Sequence, residues 1–177
     1  MTMHDIASAM QRTEAALRRR PQLGLHDNEP ATARWTEGLR MVTSHANGAS
    51  VPTDMPSELG GSGDQVSPSW LFRAGLASCA ATSIAMAAAA QEIELTALEV
   101  KVISRSDVRG LLGMTDANGE AVFAGPCDVQ LHVRIAARDA SRESLRSLVE
   151  DSQRCSPIPA VARHAVPVAV SVHFDIE

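Results

Sequence analysis

Tyrosine is missing from this chain, and phenylalanine and tryptophan together bring the aromatic share to only 3%. Base stacking on aromatic platforms therefore has little to work with. Positive charge is in deficit too: 16 Lys and Arg stand against 21 Asp and Glu, for a formal net charge of -5. That balance argues against a phosphate-tracking surface, so nucleic acid is not an expected partner. Cysteine is scarce. Three residues, an odd number, do not build the disulfide framework of a small secreted domain. The N-terminal stretch has no continuous apolar core of the signal-peptide kind, and a cytoplasmic location is expected.

Long runs of large apolar residues are lacking as well. The 74–90 stretch has about the length of a membrane span, but alanine, serine and threonine dominate it. Only Leu76, Ile84 and Met86 are large there, whereas leucine, isoleucine and phenylalanine drive insertion. A helix apolar on every side in such a chain reads as a central core helix, and no membrane partner is expected. The 177 residues, 45% hydrophobic and 21% charged, suffice for one well-formed core and are short for two.

Residues 3–20 place Ile6, Met10 and Leu17 at helical spacing, with Pro21 and Gly24 closing the segment. We read 1–25 as an accessory N-terminal helix and 26–177 as the main domain. "ATARW" and "GLRMVTSH" read as strands, and Asn47-Gly48 marks a hairpin before "ASVPT". A Gly/Pro/Ser-rich connection follows. Ser67 then offers an N-cap, with Pro68 at the first position of a helix running to about Gln91. Leu98, Val100 and Val102 alternate with Glu99 and Lys101, and Asn118-Gly119 suggests a second hairpin. The clearest strand is 127–135, with Cys127, Val129, Leu131, Val133 and Ile135 on its apolar face. A helix opened by Ser141 follows, and "HAVPVAVSVHF" is expected as the final strand, its start placed at an edge by Pro167. The order βββ–α–βββ–α–β predicts an α+β fold. The all-round apolar helix needs more cover than one chain supplies, and dimerisation around it is the expected solution.

Few residues can carry chemistry. Cys79 lies in "SPSWLFRAGLASCAATSIAMAAAA", flanked at helical spacing by Phe72, Gly75, Leu76, Thr82, Ser83 and Met86. Taken alone, such a thiol reads first as a small core hydrophobe, and a reactive thiol is the alternative. Reactivity needs a nearby cation. Arg73 lies about 120° around the helix, so the cation must come from another element, such as Arg34 or Arg40. Cys155 continues the apolar stripe of the second helix, and two thiols on packed helices could form a peroxidatic and resolving pair. Cys127 falls on an apolar strand face and is expected in the core. The histidines are scattered, and no metal or other cofactor is expected.

The segments "SELGGSGDQVSPSWLFRAGLASCAAT" and "CSPI", with the strand and helix order around them, resemble the OsmC/Ohr family of osmotically inducible and organic-hydroperoxide-resistance proteins. The resemblance covers roughly residues 31–177. It implies an intertwined homodimer with two β-sheets wrapped around central buried helices and active sites at the subunit interface. It also implies a thiol-dependent peroxidase that reduces organic hydroperoxides in oxidative-stress defence, recharged by a small or protein dithiol. Carried over by residue, Cys79 is the nucleophile, Cys155 resolves, and Arg40, or Arg34, stabilises the thiolate. The chain departs from the pattern at Ser69, where the peroxidases carry a glutamate that holds the arginine. Aligning on the proline of the family's "CP" also puts Ser156 at the resolving position in place of Cys155. These departures leave a second reading, a catalytically degenerate dimer that binds an apolar small molecule.

Overall fold

The computed structural model describes residues 2–164 and 166–174. Thr2 and Asp5 cap helix α1 (Met3–Arg19) reciprocally: the Thr2 hydroxyl accepts from the Asp5 amide, and the Asp5 carboxylate from the Thr2 amide. Three short strands follow, β1 (Thr32–Glu37), β2 (Arg40–Ser44) and β3 (Ser50–Thr53), in one antiparallel sheet of order β1-β2-β3. Gly38, at φ +51°, makes the first turn, and the Asn47 side chain accepts from the Ala49 amide in the second.

Helix α2 (Pro68–Ala90) starts on Pro68 and ends at Gln91, where the chain turns into β4 (Leu95–Arg105). Strand β4 pairs antiparallel with β5 (Cys127–Ala137), with Val100 opposite Val133 and Leu98 opposite Ile135. Between them lie a single-turn helix α3 (Val108–Leu111) and the Asp116–Glu120 turn. Ser141 caps α4 (Arg142–Ser152) by accepting from the Ser144 amide. A tight turn over Gln153–Cys155 then leads to α5 (Pro157–Arg163). Pro157 has no amide hydrogen to continue α4, so it opens a new helix in a new direction.

The core sits where one face of α2 meets α4 and the β4-β5 sheet. Ile84, Ala88, Leu145 and Leu148 are buried there, with Leu98, Val100, Val133 and Ile135 packed beneath them from the sheet. Helix α1 lies along α2 and buries Ala7. The opposite face of α2 is open in this chain: Phe72 is 38% and Met86 42% exposed. By length and composition α2 could cross a bilayer, yet it packs against the β4-β5 sheet and three helices, α1, α4 and α5.

The chain has the α+β architecture expected from its sequence, with three local differences. The hairpin at Asn118-Gly119 is reduced to an isolated bridge between Thr115 and Ala121. The expected last strand forms no ladder over 166–174. Its valines, Val168 at 87% and Val170 at 84% exposure, have no neighbouring strand among the described residues. Cys127, expected in the core, is exposed. It opens β5 beside a register shift, and Asp128 at φ +54° breaks the alternation that buries Val129 onward only partly.

Candidate active site

Cys79 lies midway along α2, on the flank between the buried positions Leu76 and Ala80 and the open face. The start of α5 meets it there. The Ser156 hydroxyl is 3.3 Å from Cys79 Sγ, and the Ile158 amide donates to the same sulfur at 3.4 Å. Pro157 explains both contacts. It ends the preceding helix, so Ser156 takes the position before the first turn of α5 and faces inward, fully buried. Ile158 then lies in a first turn, whose amides have no partner inside the helix, and the sulfur supplies one. Two polar groups of one short segment thus converge on the Cys79 sulfur. Ile158 also packs its Cδ1 3.4 Å from where a Cβ on Gly75 would stand. The space beside Gly75 is thus taken by this side chain.

The other expected site residues lie elsewhere. Cys155 is exposed on the turn before Ser156, and all three cysteines are free. Arg34 is exposed on β1. Arg40 is held by two carboxylates that sequence reasoning missed. Its Nη2 bonds Asp64 Oδ2 at 2.6 Å and Ser62 Oγ at 2.7 Å, and its Nε lies 3.7 Å from Asp54. The Ser62 hydroxyl and amide hold the Asp54 carboxyl below the usual carboxylate value, helped by the Met55 amide and Arg40. Arg40, then Ser62, does the same for Asp64. Asp54 is only 2% exposed, so this is a built clamp around the "GGSGD" turn. A Cβ on Gly61 would strike the Met55 carbonyl, which is why glycine stands there. The signal in the sequence is the set of polar residues packed between the glycines of this connection.

Ser69, the position of the absent glutamate, bonds Ser67 through their hydroxyls at 3.0 Å. It lines a cavity of about 420 Å³ with Met55, Leu59, Pro68, Val108 and Leu111. Among the described residues, no group of three His, Cys, Asp or Glu is placed to hold a metal.

The sequence matches the model of the OsmC-like protein family over residues 61–171, which spans both α2 with Cys79 and the Ser156 turn. The chain belongs to the OsmC-like family. No curated protein sequence matches it. Among solved structures, it is similar to an OsmC-like protein of Mycoplasma pneumoniae, at 16% identity and a TM-score of 0.65, with 80% of this chain and 91% of that one covered. An organic hydroperoxide resistance protein of Elizabethkingia anophelis aligns at 22% identity and a TM-score of 0.60, over 80% and 91% of the two chains. An OsmC-like protein of unknown function from Vibrio cholerae aligns at 12% identity and 0.61, over 76% and 93%. Such identities speak to the OsmC-like fold alone.

Proposed function

We propose that this OsmC-like chain is a thiol peroxidase that reduces organic hydroperoxides, with Cys79 as the attacking sulfur. The observation that carries the reading is the pair of polar groups converging on Cys79 Sγ, the Ser156 hydroxyl in contact with it and the Ile158 amide donating to it. In the first step the thiolate attacks the outer peroxide oxygen and the O–O bond breaks. The alkoxide leaves, takes a proton and departs as the alcohol, and Cys79 becomes a sulfenic acid. A small or protein dithiol then returns it to the thiol. In the two-cysteine form of this chemistry Cys155 is the second thiol, and the turn that carries it must unwind to bring it to Cys79.

The working unit in this reading is a cytoplasmic homodimer. Three features support it: the open face of α2, the exposed 166–174 segment, and a β1-β2-β3 sheet that, among the described residues, packs on no helix to any substantial extent. A second copy would cover all three and could bring Arg40 or Arg34 towards Cys79 across the interface.

The alternative, a non-catalytic binder of apolar small molecules, is favoured by one observation: the cavity beside Ser69 is walled mainly by apolar side chains. Steady-state consumption of cumene hydroperoxide with a dithiol separates the two. Turnover that vanishes in Cys79→Ser supports the peroxidase. No turnover by the intact protein leaves the binder.

A further inference from the structure

The position opposite Cys79 is occupied by an oxygen, not a second sulfur. We propose that Ser156 is a catalytic residue of this site, and that the Cys79 sulfenic acid is discharged by an external thiol instead of by Cys155. The inference rests on the peroxidase reading above.

Three observations carry it. First, Ser156 is fully buried with its hydroxyl 3.3 Å from the reacting sulfur, the place from which a resolving thiol would have to attack. A hydroxyl there can donate to the thiolate but cannot form a disulfide. Second, Cys155 is exposed, one residue before Ser156 on the Gln153–Cys155 turn. Successive residues of a tight turn point different ways, so burying the Ser156 side chain turns that of Cys155 outward. Third, that turn is pinned from both sides. Arg163 Nη2 in α5 donates to the Gln153 carbonyl at 2.8 Å, Ser152 donates to the Val149 carbonyl at 2.8 Å, and Gln153 Nε2 donates to Ser152 at 3.2 Å. Swinging Cys155 inward would break these bonds and expel Ser156 from its buried position.

The chemistry balances with an external monothiol, R′SH. The Cys79 electron pair attacks the hydroperoxide, sulfur is oxidised to the sulfenic acid, and the peroxide is reduced to alcohol. The thiol then attacks Cys79 sulfur, the S–O bond breaks, and the hydroxide leaves as water with the thiol proton. The mixed disulfide that remains yields R′S–SR′ and the free Cys79 thiol when a second R′SH attacks. Throughout, Ser156 and the Ile158 amide hold the sulfur, as donors to the thiolate and as partners of the sulfenic oxygen.

Mass spectrometry of the intact protein after one equivalent of cumene hydroperoxide tests this. With dimedone present, the expected product is a dimedone adduct on Cys79. With 2-mercaptoethanol present, it is a mixed disulfide at Cys79 with Cys155 still free. Ser156→Ala should slow the first step about tenfold, as expected for losing one hydrogen bond to a charged sulfur. Ser156→Cys should instead close a disulfide between positions 79 and 156 and give no adduct. A Cys79–Cys155 disulfide in the parent, or Ser156→Ala reacting at the parent rate, overturns the inference while the peroxidase reading stands. Peroxide left unconsumed by the parent sinks both.

Discussion

The two sheets of this molecule live under different conditions. The β4-β5 sheet lies under α2 and α4, and its inward residues share a core with Ile84 and Leu148. The β1-β2-β3 sheet has strands of only four to six residues, all six of β1 exposed, and among the described residues no helix packs on it to any substantial extent. Three short strands without a covered apolar face are marginal in water. What one chain can finish alone is therefore the second half, with Cys79 and Ser156 set into it. What it leaves unfinished is the half that carries Arg40, together with the 166–174 segment. The comparison teaches that the Cys79–Ser156 contact is built within the half that the helices cover, while Arg40 stands on the sheet that they leave largely uncovered.

The largest expected effect comes from breaking the self-sufficient half. Leu148 is 1% exposed between α2 and the β4-β5 sheet. Leu148→Ala should cost about 3 kcal/mol, lowering the melting temperature by roughly 10 °C. The loss should be the same at high and low protein concentration beyond the shift that dilution itself causes.

Dilution should act on the other half. In analytical ultracentrifugation the protein is expected to stay a dimer at nanomolar concentration. Where dilution or mild denaturant does split it, limited proteolysis should cut first within residues 26–50 and 166–174, before the α2–α4 core. A folded monomer that resists protease in both segments would contradict the division drawn here.

The smallest effect concerns the carboxylate clamp. Asp54 and Asp64 have lowered pKa values, Asp54 through Ser62 and Asp64 through Arg40 first. Carboxyls depressed on folding stabilise the native state above their unfolded value of about 3.9. That contribution fades as pH falls through the lowered folded values. Melting temperature should therefore drop from pH 5 to pH 3, and Asp54→Asn should flatten that slope while lowering the curve at neutral pH. An unchanged slope would mean that the clamp does not bear on stability.

Much of this was legible in the residues themselves. Period-two alternation located β4 and β5, and Pro68 after Ser67 located the start of α2. The family was legible from "SELGGSGDQVSPSWLFRAGLASCAAT" and "CSPI" together. Other features were not. Alternation in 164–174 suggests a strand, but it does not say what would pair with it, and the described residues 166–174 form none. Cys127 continues the parity of Val129 and Leu131, yet a left-handed Asp128 between them lets the strand end turn outward. The contact of Ser156 with Cys79 depends on the direction that α5 takes after Pro157, which no helical period encodes. The clamp on Arg40 joins residues 22 and 24 positions apart, and spacing alone does not reveal such pairs.

The central claim is that reactivity here follows the site and not exposure. Cys127 and Cys155 are exposed, and Cys79 is the less accessible of the three thiols. The direct test is peptide mapping of the three cysteines at short times after substoichiometric cumene hydroperoxide at pH 7. Oxidation confined to Cys79, with Cys127 and Cys155 still carrying free thiols, is the predicted result. Oxidation that begins at Cys127 or Cys155 and reaches Cys79 last would contradict it.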